Sequence, residues 1–170
     1  MTLRQKIFYL VYISLLRFTP EDYRPYSFCF PWLRNYFVRN FLSDCGISIR
    51  VKHNADVSPN IKLGDYSELG QHCLIHAGVS IGSNVIMGPS VKIYTRNHNF
   101  ARKDIPIANQ GKLTKPTVIG DDVWIGANVI ILPGVSVGKG CVLGAGSVIS
   151  KDIPEYAVVV GNPAKIIKFR

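Results

Sequence analysis

A six-residue period restricts the fold of this chain more than any other feature. From Cys45 to His98, and again from Ile119 to Pro154, an apolar residue opens every hexad. The openers are Cys45, Val51, Val57, Leu63, Leu69, Ile75, Ile81, Met87 and Ile93, then Ile119, Ile125, Ile131, Val137, Leu143 and Ile149. Glycine follows the opener at 46, 64, 70, 82, 88, 120, 126, 138 and 144, so nine of the 15 glycines share one phase. A small or branched side chain stands four residues past nearly every opener, from Ile49 and Ala55 to Ser147 and Ile153. A hexad is too short for a helical repeat and fits one short strand plus a turn. Three hexads make an 18-residue triangular coil, and coils stack at about 4.8 Å through strand hydrogen bonds. The chain is therefore expected to form an all-β solenoid, a parallel β-helix of about five coils over residues 45–154. Openers and fourth residues point inward, and the glycine beside each opener is expected to supply turn φ values that other residues resist. Spacing alone leaves the handedness open.

The period breaks once. Ile93 and Ile119 are one hexad plus 20 residues apart, after which the phase resumes. The insertion is expected to be an extruded loop over about 99–118, holding Arg102, Lys103, Lys112 and Lys115. Long excursions in regular folds tend to be functional. At its mouth Asn97 takes a fourth-residue slot that is otherwise small or apolar, and His98 follows at the corner.

Residues 1–44 lie outside the period. An apolar helix is expected to end near Thr19-Pro20, because proline cannot continue it. A connector rich in proline and aromatics follows over 23–31. A second helix then starts with Pro31 in its first turn, with Leu33, Tyr36, Phe37 and Phe41 on one side and Arg34, Asn35, Arg39 and Asn40 on the other. Two roles suit this segment: a cap over the open end of the solenoid, or a peripheral contact with a membrane interface. Residues 155–170 are read as a tail.

With 47% hydrophobic residues and 18% charged, disorder is excluded. No apolar run is long enough for a conventional membrane span, and no small-residue cleavage site follows the apolar start. The expectation is a cytoplasmic protein. Cys45, Cys73 and Cys141 fill repeat slots as small hydrophobes, in keeping with a reducing compartment. The net charge of +9 is spread along the chain without any nucleic-acid-binding motif. Phosphates of a small cofactor or an anionic surface suit it better than nucleic acid.

Residues 119–168, IGDDVWIGANVIILPGVSVGKGCVLGAGSVISKDIPEYAVVVGNPAKIIK, closely resemble the hexapeptide-repeat acyltransferases of left-handed parallel β-helix fold. Within them they are most similar to galactoside, maltose and surface-polysaccharide O-acetyltransferases. The likeness covers about 57–170, with NHNF (97–100) at the family's catalytic histidine. It implies a left-handed coil, a homotrimer, acetyl-CoA as cosubstrate and transfer to a sugar hydroxyl. His98 matches the general base, a role that suits a group titrating near neutrality. Trp124 and the turns Gly126-Ala127 and Gly144-Ala145 match the wall for the pantetheine arm, with a main-chain N–H of the first turn as oxyanion donor. Ala127 stands where some relatives have Ser. Lys151, Lys165 and Lys168 match basic positions near the CoA phosphates. Glu68 aligns with an acceptor-binding Asn of the galactoside enzymes and, with Asn97, is the expected acceptor contact; the alternative role for its carboxylate is to orient His98 across the subunit interface.

Rival readings rest on fewer residues. A zinc site of the γ-carbonic-anhydrase kind needs converging histidines, but the slots of His72, His76 and His98 do not predict convergence, so no metal is expected. The segment at His76 faintly echoes serine acetyltransferases, whose large amino-terminal domain is missing, and His76 is read as a surface corner residue. A non-catalytic scaffold would need neither His98 nor the matched wall. An acetyltransferase for antibiotics or free sugars is the alternative to one for a surface polysaccharide or its precursor.

Overall fold

The computed structural model describes all residues 1–170. It is a left-handed β-helix capped by two helices. Strands pair in parallel with a residue offset of 18, as in Asp44 with Lys62 and Leu74 with Lys92. They build three faces. The first carries Cys45, Leu63, Ile81, Ile119 and Val137; the second Val51, Leu69, Met87, Ile125 and Leu143; the third Val57, Ile75, Ile93, Ile131 and Ile149. Every opener except half-buried Cys45 is buried, as is every fourth residue except Asn97. The core is one continuous column whose rows repeat the same side-chain types coil after coil.

The coil count differs slightly from five. Past the last full hexad, Ala157–Val160 pairs in parallel with the strand at Val142 and begins a further coil on the second face. Lys165–Phe169 then folds back antiparallel on Ala157–Val160.

The role expected of the phased glycines is also corrected. None of the nine adopts positive φ. The left-handed conformation falls three residues past the opener, at Asn54, Asn84, Asp122 and Asn128 among others, where short polar side chains tolerate it. The phased glycines are needed for space. A Cβ on Gly88 would lie 2.7 Å from Ala127 N, and one on Gly126 would lie 2.6 Å from Ala145 N. Coils stacked at strand spacing leave no room there for a side chain.

At the amino terminus, α1 (Leu3–Ser14) and α2 (Phe30–Phe41) cover the first coil. Tyr12, Leu16, Val38, Phe41 and Leu42 extend the solenoid core, and the Tyr12 hydroxyl donates to Ala55 O at 2.8 Å. Thr2 and Gln5 form a capping box at the start of α1. The expected division of α2 fails at Arg34, which is 0% exposed. Its guanidinium donates to Val51 O at 3.0 Å, to Thr19 Oγ1 at 2.8 Å and to Pro20 O at 2.9 Å, and it pairs with Asp22. The first coil has no neighbour beneath it to donate to its carbonyls, and Arg34 supplies a fixed donor to Val51 O instead. No helix is long and apolar enough to cross a membrane.

Candidate functional site

The break in the repeat is a hairpin in which Arg96–His98 pairs antiparallel with Lys112–Thr114. Thr117 pairs with Val79 and Ile119 with Ile81, an offset of 18 plus 20 residues. The inserted residues are therefore 97–116, two earlier than expected. Asn97 does not occupy the inward slot; Thr117 does. Thr117 is buried, and its hydroxyl donates to Tyr94 O at 2.8 Å and accepts from Gly134 N at 3.2 Å. Thr95, also buried, donates to Ala77 O at 2.7 Å. Two threonines thus tie off the coil where the chain leaves and returns. Counting the hexad backwards from Ile119 finds Thr117, whereas counting forwards from Ile93 finds Asn97.

His98 and Asn97 are exposed on this hairpin, at the corner between the third and first faces. Lys151 is exposed at the same corner, two residues past Ile149. Gly126-Ala127 and Gly144-Ala145 stand at a different corner, between the second and third faces. Trp124, 57% exposed, lies on the outer side of the second face beside Ile86 and Val142. These three side chains and Arg170 line a groove of about 310 Å³. The same row runs on to Val158 and Lys168, with Lys165 opposite Val160. One chain therefore gathers Trp124, the two turns, Lys165 and Lys168 into one strip. It keeps His98, Asn97 and Lys151 one corner away.

Glu68 lies lower on the second face, its side chain only 14% exposed. Arg50 Nε stands 3.3 Å from it. Lys52 bridges to it at 3.9 Å and to Asp22 at 3.2 Å. Glu68, Lys52, Asp22, Tyr23, His53 and Gln71 line a pocket of about 160 Å³ reaching Pro89. The next turn up the corner is Ala127-Asn128, where Asn128 N donates to Pro89 O at 2.9 Å. Nothing in the repeat singled out His53. Its Nδ1–H donates to Thr19 O at 2.7 Å, which fixes the tautomer. Its only sequence signal is that the corner glycine one residue earlier is replaced by Lys52.

His76 sits at the expected corner but is half-buried rather than surface, its ring edge-on to Tyr94 at 4.9 Å. Loss of water and the nearby Arg96 lower its pKa. Burial pushes the thiols of Cys45 and Cys73 up to about 11 and about 12, so neither is a thiolate near neutrality. Within the chain no three His, Cys, Asp or Glu side chains converge to hold a metal ion.

The bacterial transferase hexapeptide family model, of six repeats, matches residues 116–151. The Saccharomyces cerevisiae protein named "Putative acetyltransferase YJL218W" is 40% identical over 79% of this chain and 70% of its own length. The chain spans less of two other relatives, 42% and 38% of their lengths. The maltose O-acetyltransferase of Clostridium difficile 630 superposes with a TM-score of 0.70 at 31% identity, covering 98% of this chain and 86% of that one. The acetyl-CoA complex of the hexapeptide-repeat acetyltransferase VCA0836 of Vibrio cholerae gives 0.74 at 27% identity, covering 98% and 85%. The chain belongs to the hexapeptide-repeat acetyltransferase family, and its enzyme class is acyltransferase.

Proposed function

We propose that the protein moves an acetyl group from acetyl-CoA to a hydroxyl of a saccharide, and that it works as a homotrimer. The observation that carries this reading is the division of the matched residues between two corners. About four residues of strand separate the turn at Ala127-Asn128 from the third corner, roughly 13 Å. A general base works within about 3 Å of the proton it takes. A neighbouring copy that sets its third corner against this second corner supplies His98 to the turn, and three copies close the ring.

In that groove Ile86, Trp124 and Val142 offer an apolar wall to a pantetheine arm. Lys165 and Lys168, with Lys151 of a neighbouring copy, offer point charges to phosphates. His98 accepts the proton of the acceptor hydroxyl as its oxygen bonds to the acetyl carbon. The N–H at Gly126-Ala127 donates to the carbonyl oxygen as it gains charge, worth about 3 kcal/mol in comparable sites. The C–S bond then breaks, and His98 returns the proton to the departing thiolate. Glu68 and the pocket around it hold the acceptor, with Asn97 approaching from the neighbouring copy. A repeating unit of a surface polysaccharide, or its precursor, is the acceptor that the likeness to surface-polysaccharide O-acetyltransferases favours.

Release of free CoA thiol over a panel of saccharides tests the reading. His98→Ala is expected to lower turnover about 100-fold or more, with the unfolding midpoint and sedimentation unchanged. Turnover equal to wild type in a folded trimeric variant would remove His98 from the mechanism.

A further inference from the structure

A further groove lies outside the strip just described. It has a volume of about 520 Å³, within the range of small-molecule sites. It runs between α2 and the first coil at Ser48-Ile49. On its wall Trp32 and Tyr36 stack with ring centroids 5.4 Å apart and planes 16° apart, so each ring braces the other. Trp32 is 63% exposed. Arg39 stands one turn further along the same helix face, with no ion pair and no hydrogen bond within the chain. Asn35 spends its Oδ1 on Val51 N at 2.8 Å and keeps its amide N–H₂ free. The Ser48 hydroxyl is also unspent, and no carboxylate lines the groove.

We propose that this groove is a second saccharide-binding site, one that holds an acidic unit of a polymeric acceptor away from the reacting hydroxyl. The inference rests on the saccharide acceptor of the preceding reading. The exposed Trp32 ring, held in place by its stack on Tyr36, offers a stacking surface to the apolar face of a sugar ring. The amide and the hydroxyl offer hydrogen bonds to its rim. Arg39, unpaired, offers a forked donor to a carboxylate. The groove also lies on a path to the acceptor pocket. Ser48 lines the groove and Lys52 lines the pocket, so they stand at most roughly 14 Å apart. Arg50 lies between them on the outer side of the second face. A few sugar units span that distance, which gives the chain a preference for polymer over monomer. A membrane interface is the poorer fit, because these side chains line a concave polar groove. The exposed apolar row of the cap, Leu3, Ile7 and Leu10, lies on α1 instead.

The test is equilibrium binding of a length ladder of uronic-acid oligosaccharides, beside neutral oligosaccharides of matched length, to the full-length protein. The expected result is tighter binding with length and for the acidic series. Trp32→Ala weakens it tenfold or more, and Trp32→Phe restores most of it. Arg39→Gln removes the acidic preference alone. His98→Ala lowers turnover about 100-fold or more while leaving oligosaccharide binding unchanged, which separates this site from the catalytic reading. Equal binding by wild type and a folded Trp32→Ala variant would overturn the proposal. So would a Trp32-dependent change in oligomeric state, or Trp32-dependent binding to anionic phospholipid vesicles without oligosaccharide binding.

Discussion

The three corners of the solenoid are built by different means. After the first-face openers all five residues are glycine: 46, 64, 82, 120 and 138. After the second-face openers four of five are, and the exception is Lys52 beside the acceptor pocket. After the third-face openers none is: Ser58, His76, Tyr94, Leu132 and Ser150 stand there. Glycine returns two residues later at that corner, as Gly78 and Gly134 with φ +84° and +82°. At the first two corners, then, glycine is required because backbone meets backbone. At the third, it is required because the chain turns through a left-handed conformation. The third corner tolerates bulk, and it is the one that extrudes the hairpin. A 20-residue excursion needs an exit where neighbouring coils are not locked together by main-chain contact.

The sharpest way to break the comparison is to remove the hairpin whole. Excising residues 97–116 joins Arg96 to Thr117 and restores an uninterrupted hexad from Ile93 to Ile119. Arg96→Gly at the joint supplies the φ that Gly78 and Gly134 adopt in the same slot. The excised chain is expected to keep its parallel-strand circular dichroism and cooperative unfolding, and thiol release should fall to background. Loss of folding would mean that the hairpin, and not the Thr95 and Thr117 ties, holds the coil together.

Glycine substitutions at different slots give the next effect in size. Gly126→Ala forces a Cβ against the Ala145 backbone and is expected to cost about 3 kcal/mol by urea unfolding. Gly146→Ala meets nothing within 4 Å but holds φ +72°, and should cost only about 1 kcal/mol. Asn is the discriminating residue. Gly146→Asn should recover part of the loss, since Asn accepts left-handed backbone, and Gly126→Asn should recover none.

Much of this arrangement was legible in the sequence, for a physical reason. A solenoid converts sequence spacing directly into position, so the opener and fourth-residue slots named the core from Val51 to Ile149. The 20-residue interruption located the hairpin and His98. The missed features are those the ruler does not measure. Arg34 looked like the polar side of an amphipathic helix, because helical periodicity cannot see that the first coil needs donors from below. The role of the phased glycines was misjudged because sequence gives their position but not whether φ or space selects them. The pocket at Glu68 joins residues 22 and 23 of the irregular connector to the second face. No spacing rule links that connector to the coil.

The smallest expected effect returns to the third corner. His76 fills the slot that glycine holds in the same coil at Gly70, and at the third corner that slot takes side chains from Ser58 to Tyr94. Its Nδ1 is buried without a partner beside Tyr94. Withdrawal from water, and then the Arg96 guanidinium, lower its pKa below the ordinary 6.5, with Asp56 opposing them. A histidine with a lowered folded pKa binds its proton more readily in the unfolded chain. Its contribution is therefore absent well above pH 6.5, and stability falls as pH drops through 6.5 toward the folded value. His76→Leu copies Leu132 at the equivalent slot and removes that term. Its urea midpoint should change less between pH 7.5 and 5.5 than that of wild type. Parallel pH profiles would mean that His76 takes a proton in the folded coil as easily as in water, and that this corner is open to solvent at its base as well as at its hairpin.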